Sequence, residues 1–125
     1  MQVKELMKEP YIIERDISLI ETAKILSERR IGSLLFVYKG KARGIITEND
    51  LLKNFGEHKN ISQIMSRNII SIGPDETIED ALKIMRENKI KRLPVVDSKK
   101  QLVGIISMTD IAANFDKTEG EFFFN

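Results

Sequence analysis

The run Gly44-Ile45-Ile46-Thr47-Glu48-Asn49-Asp50 returns sixty residues later as Gly104-Ile105-Ile106-Ser107-Met108-Thr109-Asp110. The copies share a glycine, two β-branched apolar residues, a hydroxyl and, three residues on, a carboxylate. The apolar pair suits the end of a strand and the hydroxyl suits a helix N-cap. An acid three residues after that cap completes a capping box and complements the helix dipole. Capping alone therefore accounts for the spacing with no ligand. The same groups also suit a nucleotide. Free N–H groups and a hydroxyl at a helix start fit a phosphate. An ionised Asp one turn in is acceptor-only and fits the two hydroxyls of a ribose. Both readings stand at this level.

Little else in the chain offers chemistry. Its 125 residues contain no cysteine, which removes disulfides, thiolate metal sites and cysteine nucleophiles together. One histidine, His58, lies in the polar stretch Gly56-Glu57-His58-Lys59-Asn60 with no nucleophile motif beside it, so a His metal cluster is excluded. Twenty Lys and Arg against nineteen Asp and Glu leave a net charge of +1, which argues against nucleic-acid binding through a bulk positive field. No apolar run approaches the ~20 residues that span a bilayer. A soluble cytoplasmic protein without catalytic machinery is expected. The hydrophobic fraction of 42% is ample for a core.

The elements that must carry the motif are themselves repeated. Lys24-Ile25, Glu28, Ile31, Leu34 and Val37 recur as Lys83-Ile84, Glu87, Ile90, Leu93 and Val96, and Met7 and Ile12 are matched with Met65 and Ile70. Each copy starts with a short helical turn (Val3 to Met7; Ile61 to Met65) and a short strand (Tyr11 to Ile13; Ile69 to Ile72). An amphipathic helix follows, opened by Ser18-x-x-Glu21 or Thr77-x-x-Asp80 as capping boxes. Paired apolar runs around Lys39-Gly40-Lys41 and Asp97-Ser98-Lys99-Lys100 predict β-hairpins. A last helix begins at about Thr47 or Ser107 and runs to about Phe55 or Asn114. The division is residues 1–57, residues 58–115 and a tail, 116–125, carrying Phe122-Phe123-Phe124. A repeat of about 60 residues is small for a domain, and two sharing one core is the natural solution. The tail is costly to expose and is expected to fold back or bury in an interface.

The whole pattern resembles a tandem pair of cystathionine-β-synthase (CBS) domains. The second copy fits nearly throughout, from Met65 through Ile90-Lys91-Arg92-Leu93-Pro94-Val95-Val96-Asp97 to Gly104-Ile105-Ile106-Ser107-x-x-Asp110. The first copy departs at Leu35 and Tyr38, where Pro and Asp are usual. The resemblance implies an α/β fold with mixed α+β sheets: two β-α-β-β-α repeats packed about a pseudo-twofold axis, leaving two clefts. Such clefts bind AMP, ADP, ATP, S-adenosylmethionine or related compounds as regulators. Carried over by position, Asp50 and Asp110 would hold ribose and Thr47 and Ser107 phosphate, with Asn49 and Thr109 beside them. Gly32 and Ser33, or Lys91, Arg92 and Pro94, would line the same clefts. Tyr11 to Ile13, and Ile70 and Ser71, would contribute backbone contacts to adenine.

The copies are unequal in charge. Lys91 and Arg92 stand where the first copy has Gly32 and Ser33, so a phosphorylated ligand is expected to prefer the Asp110 site. The alternative for that pair is a solvated strand end. The resemblance further implies a regulatory module that senses an adenosyl ligand, forms a homodimer and signals to a separate protein partner. The rival is an oligomerisation module with vestigial clefts.

Overall fold

The computed structural model describes residues 1–118, with side chains as far as Asn114; the three-phenylalanine segment lies outside the described residues. The elements are β1 (Ile12–Ile13), α1 (Leu19–Arg29), β2 (Ser33–Tyr38), β3 (Lys41–Thr47), α2 (Glu48–Asn54), α3 (Ile78–Asn88), β4 (Arg92–Val96), β5 (Leu102–Ser107) and α4 (Met108–Thr118). Short 3-10 turns, Val3–Glu5 and Ile61–Gln63, precede each repeat's first strand position. The α/β build and the mixed parallel and antiparallel pairing match the fold class expected from the sequence, with β-α-β-β-α complete in the first copy.

The compact units exchange their leading segments relative to the repeats. One unit is Pro10–Ile69, and the other joins Met1–Glu9 to the chain from Ile70 on. Each has its own apolar cluster rather than a share of one core. In the first unit, Ile17, Leu19, Leu26, Leu34, Ile46, Leu51, Ile61 and Met65 pack together. In the second, Val3 joins Ile72, Ile78, Ala81, Met85, Leu93, Val95, Ile106 and Ile111.

In the Pro10–Ile69 unit β1 runs parallel to β2, and β2 is antiparallel to β3. The hairpin turns through Lys39 and Gly40 at φ 53° and 77°, a left-handed pair that matches strand twist. Helix α1 is capped by Ser18 Oγ, which accepts from Glu21 N at 3.0 Å. The reciprocal half of the expected capping box is absent because the Glu21 carboxylate pairs with Arg15 at 3.2 Å.

In the other unit β4 and β5 form a two-stranded antiparallel sheet, and the strand expected over Ile69 to Ile72 shrinks to one bridge, Ile72 beside Val95. Proline is the reason. Leu35 N donates to the Tyr11 carbonyl at 3.0 Å in the first unit, but Pro94, at the matching position, has no N–H to donate. The surviving bonds are Ile72 N to Pro94 O, 3.0 Å, and Val96 N to Ile72 O, 2.9 Å. They set Ile72 beside Val95 as Ile13 lies beside Phe36, so the structural counterpart of Ile12 is Ser71 rather than Ile70. Helix α3 carries the complete capping box of Thr77 and Asp80. Helix α4 runs past its expected end at Asn114 to Thr118.

Candidate functional site

Each unit builds the same junction of strand, cap and helix. In the first, Thr47 leaves β3 in an extended conformation and caps α2. Its N–H and Oγ1 both donate to Asp50 Oδ2, at 2.8 and 3.0 Å, and Oγ1 accepts from Asp50 N at 3.3 Å. In the second, Ser107 Oγ donates to Asp110 Oδ2 at 2.8 Å and accepts from Asp110 N at 3.1 Å. The capping interpretation of the repeated motif is therefore realised in both places. In each, one carboxylate oxygen is taken by the cap and the other, Oδ1, is left to other partners.

The start of the hairpin is stitched to the same junction. Ser33 pairs opposite Thr47 and Arg92 opposite Ser107. Glu48 N donates to Gly32 O at 3.1 Å, and Met108 N donates to Lys91 O at 2.8 Å. The expected residues thus fall into two sets: Gly32, Ser33, Thr47, Asn49 and Asp50, and Lys91, Arg92, Ser107, Thr109 and Asp110. Ser33 is buried and Gly32 half-buried, whereas Lys91 is exposed and Arg92 half-buried. Asn49 and Thr109 are exposed on the first helical turn.

The adenine-contacting positions are disposed differently in the two units. Tyr11 has its carbonyl engaged by Leu35 N and its ring covered by the Arg29 guanidinium, 5.1 Å from the centroid. Ile13 packs on the core of its unit, and Ile70 packs on the core of the other. Ser71 is half-buried. Pro94 is buried within β4 and cannot return to Ile70 the bond that Leu35 gives Tyr11.

Sequence reasoning missed Lys8. Its ammonium lies 2.9 Å from Asp110 Oδ1, with the Lys8 side chain 72% exposed and that of Asp110 15% exposed. The leading segment delivers it there, through Lys8 N to Ile105 O at 2.8 Å and Ile105 N to Lys8 O at 2.9 Å. The signal lay in the repeat register: matching Met7 with Met65 also matches Lys8 with Ser66, a charge present in one copy only. Ser66 exchanges the same pair of backbone bonds with Ile45, both 3.0 Å. Asp50 has no ion pair among the described residues. His58 is half-buried, and no metal-holding cluster occurs among the described residues. None of their helices is long and apolar enough to cross a membrane.

Comparison with known proteins places this architecture. The model of the CBS domain matches residues 3–57 and again residues 61–117. An uncharacterised protein of Methanocaldococcus jannaschii is 40% identical over 106 residues, covering 84% of this chain but only 36% of its own length. A second uncharacterised protein of that organism is 30% identical, with 89% of each chain covered. The crystal structure of the CBS domain pair of protein MJ0100, in complex with 5′-methylthioadenosine and S-adenosyl-L-methionine, superposes with a TM-score of 0.88 at 35% identity, covering 95% of this chain and 98% of that one. With both copies of the domain matched in order and the fold shared across nearly the whole chain, the protein belongs to the CBS domain family as a tandem pair.

Proposed function

We propose that this chain is a non-catalytic sensor that binds an adenosyl compound at the Ser107–Asp110 and Thr47–Asp50 junctions and reports occupancy to a separate protein. One observation carries the reading: a CBS pair 35% identical over nearly the whole chain was crystallised with two adenosyl compounds. The junctions suit that ligand class, because a carboxylate fixed by its cap can accept from ribose hydroxyls without rearranging. Arg92 and Lys91 beside Ser107 favour a phosphorylated adenosyl ligand in the Asp110 site. The Ile70 carbonyl, which receives no N–H from Pro94, is an acceptor for the adenine amino group. A ligand acts on the partner only by binding one state of the pair better than another.

Thermal unfolding with AMP, ADP, ATP, S-adenosylmethionine, NAD and a GTP control tests this. At ~100 times its dissociation constant a ligand stabilises the native state by about 2.7 kcal/mol, which raises Tm by several degrees. The expected result is a rise with adenosyl compounds alone, reduced in Asp110→Ala and lost when Asp50→Ala is added, with AMP affinity weakened in Arg92→Ala. No rise with any of them would transfer the function to the rival, an oligomerisation module.

The homodimer is proposed on its own observation. Ile20, Leu52 and Phe55 are 65%, 79% and 72% exposed. Ile20 and Phe55 line an open apolar groove of about 340 Å³ with Ala23 and Lys24. A second copy of this face would cover it. Sedimentation of the wild type is expected to give a dimer, and Phe55→Glu a monomer of unchanged fold.

A further inference from the structure

Both junction carboxylates are held by their caps, but only Asp110 carries an ion pair among the described residues. Ser107 Oγ holds Asp110 Oδ2 at 2.8 Å, and Lys8 Nζ sits on Oδ1 at 2.9 Å. A ribose diol that donates to both carboxylate oxygens needs the oxygen that Lys8 covers. At the other junction Asp50 Oδ2 takes the Thr47 hydroxyl and N–H, and the residue in the place of Lys8 is Ser66. Its side chain is short and uncharged.

We infer that Lys8 is the charge-selectivity residue of the Asp110 site: it neutralises Asp110 while the site is empty and turns to the anionic group of an adenosyl ligand once the ribose engages the carboxylate. This rests on the adenosyl reading above. Three features carry it. First, the Lys8 backbone is pinned to Ile105, two residues before Ser107, so its side chain pivots from a fixed point beside the junction. Second, the ammonium end is mobile in principle, because the side chain is 72% exposed and Asp110 is its one ion-pair partner among the described residues. An ammonium on a four-carbon stem trades one oxygen ligand for another at low cost. Third, Asp110 is only 15% exposed, so displacing its cation without supplying another anion leaves a poorly hydrated carboxylate facing the ligand alone.

Ligand charge then decides the balance. A neutral nucleoside displaces Lys8 and returns nothing to it. A ligand carrying phosphate or carboxylate near its ribose gives Lys8 a new partner, alongside Lys91 and Arg92. A cationic sulfonium compound adds a further positive charge beside the Lys8 ammonium. The Asp50 junction lacks this discrimination and accepts neutral and charged adenosyl compounds more evenly.

The test is calorimetric titration of adenosine and AMP into the full chain carrying Asp50→Asn, with Lys8 intact or replaced by Gln or Arg. An exposed ion pair biases an equilibrium by about fivefold or less. Lys8→Gln is expected to tighten adenosine about threefold and weaken AMP several-fold, so the preference for AMP falls about tenfold, while Lys8→Arg keeps it. The reciprocal chain, Ser66→Lys with Asp110→Asn, is expected to gain a preference for AMP at the Asp50 junction. If adenosine and AMP both bind and their ratio in Lys8→Gln stays within twofold of the parent, the assignment of Lys8 is wrong and the adenosyl reading stands. If neither binds any of these chains at millimolar concentration, the adenosyl reading fails and takes this inference with it. Unchanged thermal unfolding of ligand-free Lys8→Gln is expected, and a large loss of Tm would make Lys8 a structural residue instead.

Discussion

A single methyl group probes why glycine opens both copies of the repeated motif. Neither Gly44 nor Gly104 has a left-handed φ, so backbone freedom is not the reason. A Cβ on Gly104 would lie 2.6 Å from Met7 Sδ, and one on Gly44 would lie 2.6 Å from Met65 Sδ. Each glycine is the floor on which the methionine of a leading turn rests. Gly104→Ala is therefore expected to destabilise the chain by about 1–3 kcal/mol through overpacking. Adding Met7→Ala removes the clash, so the two costs measured in urea should not add. At this scale the sequence showed the motif and the identities of its cap and carboxylate. It did not show what the glycine serves, because the methionine arrives from the leading turn of the other repeat. Lys8 escaped for the same reason: its charge acts across the sheet, and no local spacing links it to Asp110.

Elements were legible wherever local chemistry decided them. Ser18, Thr47 and Thr77 cap helices as read, and the hairpins turn at Lys39-Gly40 and Asp97 to Lys100. They were misread where a neighbour intervened, as Arg15 does in taking Glu21 and Pro94 does in denying Ile70 a donor. Leu35→Pro transfers that second effect to the first unit. It removes the N–H that holds Tyr11 O and trims a fully buried side chain. The expected cost is about 2–4 kcal/mol, with faster amide exchange at Ile13 and Val37. The start of α3 answers to acid. The Thr77 hydroxyl, and after it the Thr77 N–H, hold the Asp80 carboxyl below its ordinary value of 3.8. The folded form thus binds the proton less readily than the unfolded chain. Its stabilisation is complete above that ordinary value and is lost as pH falls through the folded one. Tm of Asp80→Asn is expected to lie below the wild type at pH 6 and to converge on it as the pH falls through the lowered folded-state value.

At the scale of the whole molecule, the repeat was plain in the sequence but the exchange of leading segments was not. Val3 and Met7 in one turn are matched by Ile61 and Met65 in the other, so either turn is chemically fit for either sheet. Only tertiary packing chooses. Val3 is fully buried with Ile72, Ile78 and Val95, and its N–H donates to Glu76 O at 2.8 Å. Lys4 adds a bond to Pro74 O at 2.9 Å and an exposed ion pair to Asp75. Val3→Ala is expected to cost about 1–3 kcal/mol. Removing residues 1–7 should abolish slow amide exchange across residues 70–114 while sparing residues 10–69. Equal loss in both stretches would show that the two units unfold as one.

That exchange sets an order of events on the ribosome. Residues 10–69 form a continuous stretch, so every strand and helix of their unit emerges from the exit tunnel ahead of those of the other unit. Domains fold as they emerge, N-terminal parts ahead of C-terminal ones. Here the rule inverts for the first nine residues. Val3 and Met7 emerge ahead of residues 10–69, yet the sheet and helix that receive them are not complete until Ile111 has emerged. The waiting loop is long, but the entropy of closing it grows only slowly with length. The leading segment thus settles after the unit that follows it in the chain, and Lys8, riding on it, reaches Asp110 only once residues 10–69 have already emerged.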